Sequence, residues 1–193
     1  MCDMHARIDV GFSQEQFLPG THMCLVFRDE SERKRIVSRY VESGLLAGEQ
    51  VGYFADAADP GDVDQWLREL DVDTAQLSLR RTSDTYYPDG VFDPNRMCNT
   101  LRETWTTARE AGFPNCRVTG EMSWALGDIP GADRLMEYEA AVNTVVKTHP
   151  VTAMCQYDAN RFSGEMIFRA LRVHPYMVMD DQLVQNPYYI LEE

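Results

Sequence analysis

Lysine is nearly absent: Lys34 and Lys147 are the only two in 193 residues. Lys and Arg together number 18 against 31 Asp and Glu, a formal net charge of −13. That sign argues against non-specific nucleic-acid binding, which needs basic residues to displace counterions from phosphates. It argues equally against docking on an anionic membrane surface. Long hydrophobic runs are missing, and no stretch approaches the ~18 apolar residues of a membrane span. Met1 to Val10 is polar and mixed in charge, unlike a secretory signal. Cys2, Cys24, Cys98, Cys116 and Cys155 are odd in number and form no Cys-x-x-Cys pair. Neither a zinc ribbon nor a thioredoxin-type motif is therefore expected. These absences point to a cytoplasmic protein with reduced thiols.

What remains is ordinary globular composition, with 44% hydrophobic and 25% charged residues. The length suits one domain that buries a full core without staples. Short apolar runs alternate with helical patterns. His22–Phe27, Gln50–Ala55, Leu77 with Leu79, Cys116–Met122, Val151–Tyr157 and Tyr176–Met179 read as strands. Between them, Ile36, Val37, Tyr40, Val41 and Leu45 stripe a helix opened by acidic Asp29–Glu32. A second helix starts at Asp59-Pro60 with Val63, Trp66, Leu67 and Leu70, and a third at Asp93-Pro94 with Met97, Leu101 and Trp105. Leu135, Tyr138, Val142 and Val145 mark a fourth, and Glu165–Val173 a fifth. The alternation predicts an α/β fold of three layers: a mostly parallel sheet with helices on both faces. The acidic stretch from Phe54 to Ala75 is a solvated helix face or an acidic docking surface.

In such sheets ligands bind beyond the C-terminal ends of the strands. A nucleotide-hydrolysing version needs a glycine-rich loop and a lysine after the first strand. Here that place holds Phe27-Arg28-Asp29-Glu30-Ser31-Glu32, without glycine or lysine and with three acids where phosphates would lie. Ordinary P-loop ATP hydrolysis is therefore not expected, and the Rossmann glycine fingerprint is absent as well.

His22 and Cys24 face the same way on a strand. Such a pair reads as nucleophile and base, as metal ligands, as a ligand contact, or as a core histidine beside a buried thiol. No nearby spacing supplies further metal ligands, so no metal site is expected. Tyr86 and Tyr87 precede a Pro88-Asp89-Gly90 turn and either wall a pocket or pack beneath it. In Thr119-Gly120-Glu121-Met122-Ser123-Trp124, Gly120 admits a close approach, Glu121 offers an acceptor or base, and Trp124 an apolar wall. Tyr157 is a further candidate wall, sharing a strand face with Cys155. His149 and His174 precede prolines and read as cap or core. No Ser–His–Asp constellation can be assembled, so no catalytic residue is assigned.

Taken in order, these stretches resemble the MEDS domain family, the sensory domain of methanogen and methylotroph regulators. The resemblance rests on Pro19–Cys24, Tyr40 with Gly44-Leu45 and Gly48-Glu49, and Tyr86-Tyr87 with Gly90 and Phe92. Arg117–Trp124, Tyr138-Glu139, Cys155–Asp158, His174-Pro175 and Asn186–Tyr189 complete it. It spans residues 17–190 and sets 1–16 apart as an N-terminal extension. It implies a RecA-like fold without a functional P-loop. It implies a non-enzymatic regulator of bacterial or archaeal transcription or signalling that senses small hydrocarbon-like molecules. Relatives carry helix-turn-helix or histidine-kinase-like domains, for which this chain has no room. A stand-alone module or a piece of a longer protein is expected, acting on an output protein or a fused kinase or DNA-binding domain.

The expected ligand site at the strand C-terminal edge comprises His22, Cys24, Tyr86, Tyr87, Glu121, Trp124 and Tyr157. The expected ligand is a small organic molecule, with no cofactor, no direct nucleic-acid contact and no membrane. Three other readings stay open. They are a degenerate nucleotide binder, an enzyme built on Cys24 or Glu121, and a protein-interaction module, including a homodimer.

Overall fold

The computed structural model describes residues 7–56, 60–69 and 72–190. Cys2, Asp59 and Leu70 lie outside them. Seven strands of the described residues share one sheet: β1 (His22–Phe27), β2 (Gln50–Ala55), β3 (Leu77–Arg81), β4 (Cys116–Glu121), β5 (Thr152–Asp158), β6 (Tyr176–Met179) and β7 (Gln182–Gln185). Their order is β3-β2-β4-β5-β1-β6-β7. Every pairing is parallel except that of β6 with β7.

Among the described residues six α-helices connect them: α1 (Glu30–Leu46), α2 (Pro60–Arg68), α3 (Thr82–Thr85), α4 (Pro94–Glu110), α5 (Leu135–Thr148) and α6 (Gly164–Val173). Local chemistry starts these helices where they start. Asp29 caps α1 by accepting from the Ser31 and Glu32 N–H groups. Asp93 caps α4, with Pro94 in its first turn. Ser163 caps α6 through the Met166 N–H. Gly48, at φ +70°, supplies the left-handed backbone just after α1.

Side-chain alternation along the strands divides the core in two. Cys24, Phe54, Val118, Cys155 and Tyr157 face α4, α5 and α6. Met23, Leu25, Val51, Tyr53 and Met154 face α1 and α2. The expected three-layer α/β architecture is present.

Residues 7–16, the described part of the expected extension, are built into the second core. Ile8 bridges Phe17, and Ile8, Val10, Phe12 and Phe17 are buried there. Buried Arg117 holds this segment through the Asp9 carbonyl. Three local features were not anticipated. Met122 leaves β4 for a 3-10 turn over Met122–Leu126, and Thr82–Thr85 forms a helical turn. β7 returns antiparallel through Asp180 and Asp181, both with positive φ, as in the tight turns that match strand twist.

Candidate functional site

β1 and β5 lie side by side, and their residues toward α5 and α6 include His22, Cys24, Cys155 and Tyr157. The apolar stripe of α5, Leu135, Tyr138, Val142 and Val145, carries one charged residue, Glu139, and it is fully buried. A carboxylate can sit there only if its oxygens are satisfied. Tyr157 donates its O–H to Glu139 Oε1 at 2.6 Å. Glu139 Oε2 stands 3.2 Å from His22 Nε2, 3.3 Å from Cys155 Sγ and 3.4 Å from His174 Nε2. The two imidazole rings are 4.2 Å apart between centroids.

Electrostatics inside this cluster follow from burial and from one carboxylate. Burial alone would raise the Glu139 pKa, but His174 and His22 reverse that and hold it below the usual carboxylate range. Burial, with His174 nearby, lowers His22. Burial and Glu139 push the Cys155 thiol well up. Cys24 donates to the Tyr176 carbonyl at 3.7 Å, and burial pushes its thiol up to about 12.

The seven residues expected to share one pocket are divided. His22 and Tyr157 join the Glu139 cluster and Cys24 lies beside them on the same sheet face, with His22 at the N-terminal end of β1 rather than at the expected ligand edge. Tyr86, Tyr87 and Trp124 stack with Phe92 and Tyr138 in the adjoining core. Tyr86–Trp124 and Phe92–Trp124 centroids are 5.1 and 4.6 Å apart. Trp124 and Tyr86 are buried, so packing beneath the turn is what the structure shows for them. The close approach expected at Gly120 is to Tyr86: a Cβ there would stand 2.5 Å from its hydroxyl.

Glu121 lies on the opposite sheet face. Its Oε1 accepts from Arg33 Nη1 at 2.9 Å and from the Tyr53 hydroxyl at 2.7 Å, and its Oε2 from the Asp56 N–H at 3.1 Å. That ties α1 to the strand ends, a structural use of the carboxylate.

Glu139, Cys155, His174 and Asn143 were not among the expected site residues. A charge at position 139 inside an apolar stripe was the available signal, because it demands buried partners. No spacing along the chain reveals that β1, α5, β5 and the α6–β6 junction converge on it.

A family profile described as the methanogen/methylotroph, DcmR sensory domain matches residues 21–175. The chain belongs to the MEDS family. Over 156 residues it is 28% identical to the transcriptional repressor DcmR of Methylorubrum extorquens, covering 79% of this chain and 57% of that protein. The chain thus spans a little over half the length of this curated relative. Among solved structures it resembles the KaiC-like protein PH0186 of Pyrococcus horikoshii, with TM-score 0.64 and 13% identity over 89% of this chain and 79% of that one. It also resembles the flagellar accessory protein FlaH of Methanocaldococcus jannaschii, with TM-score 0.60 and 11% identity over 92% and 84% of the two chains. These likenesses establish the RecA-like fold and no activity.

In this MEDS domain the turn between β1 and α1 is closed by its own side chain. Asp29 Oδ1 accepts from Ser31 N at 2.7 Å and Glu32 N at 3.2 Å, the donors a phosphate at a helix N-terminus would use. Beside this turn, at the C-terminal ends of β1 and β5, lies a cleft of about 480 Å³. Val26, Phe162 and Ile167 line it, with Arg28, Glu32 and Gly164. None of the seven expected residues lines it. Among the described residues no helix is long and apolar enough to cross a membrane.

Proposed function

We propose that this MEDS domain is the input module of a transcription-control system. A small, largely apolar organic molecule binds the cleft at the C-terminal ends of β1 and β5. The observation that carries this reading is the cleft itself, of about 480 Å³, within the range of small-molecule sites and at the edge where open α/β sheets hold ligands. Its lining is chemically suited: apolar walls from Val26, Phe162 and Ile167, with Arg28 and Glu32 for orientation. Phe162 packs edge-on against Tyr157, with ring centroids 5.3 Å apart. Tyr157 in turn bonds Glu139, so an occupant of the cleft adjoins the buried polar cluster. A signal requires the ligand to prefer one of two conformations of the domain. The repressor relative supports an output on transcription, through a fused or separate partner. For a nucleotide, the capped α1 N-terminus and the acids after β1 supply repulsion where phosphates need donors.

A thermal-shift panel of small hydrocarbons, their oxidised and halogenated derivatives, and magnesium–ATP tests this reading. Ligand at 100 times its Kd stabilises by about 2.7 kcal/mol. For a domain of this size that is roughly 5–10 °C in Tm. The expected result is a shift with an apolar compound, lost in Ile167→Trp, which fills the cleft, and none with ATP. A shift unaltered in folded Ile167→Trp places the ligand elsewhere, and a shift with ATP alone replaces this reading with the nucleotide one.

A further inference from the structure

Four side chains brought together by the fold have the donor chemistry of a metal centre. They are His22, Glu139, Cys155 and His174, all buried, with one ligand atom each lying within 4.8 Å of the others. Metal–ligand bonds of about 2.0–2.3 Å put the edges of a tetrahedral site at about 3.3–3.6 Å. Four of its six edges already have about that length, and the other two lie within 4.8 Å. His22 Nε2 to Glu139 Oε2 is 3.2 Å, and His174 Nε2 to the same oxygen is 3.4 Å. Cys155 Sγ lies 3.3 Å from that oxygen and 3.6 Å from His22 Nε2.

Hydrogen bonding on the far side of each ring fixes the tautomers. Asn143 donates its amide N–H to the Val173 carbonyl at 2.7 Å, which turns Asn143 Oδ1 toward His22 Nδ1 at 2.9 Å. His174 Nδ1 faces the Ala170 carbonyl at 2.7 Å. Both Nδ1 atoms therefore carry a proton, which leaves each Nε2, aimed inward, as the ring atom able to bind a metal ion. There they face Glu139 Oε2, to which the Cys155 S–H donates at 3.3 Å. His174 Nε2 stands 3.4 Å from Glu139 Oε2 without the geometry of a hydrogen bond. A buried polar atom in that position calls for an explanation, and a cation at the centre supplies one.

We infer that His22 Nε2, His174 Nε2, Cys155 Sγ and Glu139 Oε2 bind one zinc ion in a closed tetrahedral site. Two neutral imidazoles, a thiolate and a carboxylate balance the charge of Zn²⁺, so the filled centre is neutral and tolerates complete burial. The mixed N, S and O set favours zinc over the oxygen-bound calcium or magnesium. The outer partners are those a metal site needs. Asn143 and the Ala170 carbonyl orient the rings, and Tyr157 occupies Glu139 Oε1, leaving Oε2 for the ion. Loading is ligand exchange without redox change. The Cys155 S–H bond breaks, its proton passes to buffer, and four protein bonds replace the ion's waters. The site clamps β1, α5, β5 and the α6–β6 junction together. This inference does not depend on a ligand in the cleft.

The test is metal analysis of the chain purified without chelator or metal-affinity resin, followed by Co²⁺ titration of metal-stripped folded protein. The expected result is one zinc per chain, and with Co²⁺ the intense visible bands of a tetrahedral ion plus a thiolate-to-cobalt charge-transfer band. Cys155→Ser removes the charge-transfer band. Cys24→Ala, on the same sheet face but outside the ligand set, retains it. Tyr157→Phe and Asn143→Leu keep the four ligands and weaken affinity by about 10–100-fold. Folded wild-type protein that yields no tetrahedral Co²⁺ bands and retains no added zinc overturns the inference. So does zinc binding of unchanged stoichiometry and affinity in folded Cys155→Ser and His174→Ala.

Discussion

Arg117 is a fully buried cation, and the residues around it are organised by that single cost. Its Nε contacts Glu49 at 2.5 Å, and its Nη1 donates to the Tyr40 carbonyl and Ser43 Oγ. Its guanidinium lies 5.0 Å from the Tyr40 ring centroid. Gly44 leaves the space for it: a Cβ there would meet Arg117 Nε at 2.6 Å and Val51 Cγ2 at 3.0 Å. Gly44→Ala gains about 1 kcal/mol of helix propensity. It loses about 1–3 kcal/mol to overpacking, because Arg117 cannot withdraw without leaving Glu49 unpaired. Net destabilisation, read as a lower urea midpoint with unchanged slope, is the expected outcome. Cys116 supplies a pH prediction. Burial first, and Glu49 second, push its thiol from the ordinary 9.0 up to about 12. A raised folded-state pKa contributes stability that is fully present below the unfolded value. That contribution is lost as pH rises toward the folded value. Stability therefore falls above about pH 8.5, where an unfolded cysteine ionises. In Cys116→Ala, denaturation midpoints decline less steeply over the same alkaline range.

At the scale of elements, local signals and long-range contacts contributed unequally. The strands His22–Phe27, Gln50–Ala55 and Tyr176–Met179 carry the bounds read from their apolar runs, and the caps at Asp29 and Asp93 start their helices as expected. β7 was missed because its four residues, Gln182–Gln185, hold only two apolar side chains. The Asp180-Asp181 turn that makes it lacks the usual glycine. Left-handed backbone at a non-glycine residue costs about 1–2 kcal/mol. Asp180→Gly removes that cost against a larger loss of chain entropy. A small rise in the denaturation midpoint, under about 1 kcal/mol, is expected; a fall means that the Asp180 side chain stabilises the turn. Asp181 is the poorer site for this test because it pairs with Arg35.

For the whole molecule, charge and topology act on different questions. The net charge of −13 bears on partners rather than on fold. An electrophoretic mobility-shift assay with this domain in low salt is expected to show no retarded DNA. Retardation there means that a basic patch overrides the net sign. Topology decides which residues meet. Alternation along β4 and β5 sends Glu121 and Gln156 to the α1 side and Cys155 and Tyr157 to the α5 side, so the residues expected to share one pocket lie on opposite faces of the sheet. The strand order also places β1 between β5 and β6. That order carries His22, Cys155 and His174 from three distant stretches to one carboxylate on α5.

Read alone, the chain's residues settled the class of fold and most element bounds, and they place acids where a phosphate-binding loop needs glycine and lysine. Those depend on short-range causes: hydrophobic period, capping side chains, and the acids that follow the first strand. Which candidates share a site was settled by folding in three dimensions. The face a strand residue presents is local, but the helix lying over that face and the strand beside it are not. Glu139 was visible as a charge in an apolar stripe, yet its partners lie at positions 22, 155, 157 and 174, and only the sheet order brings them within bonding distance.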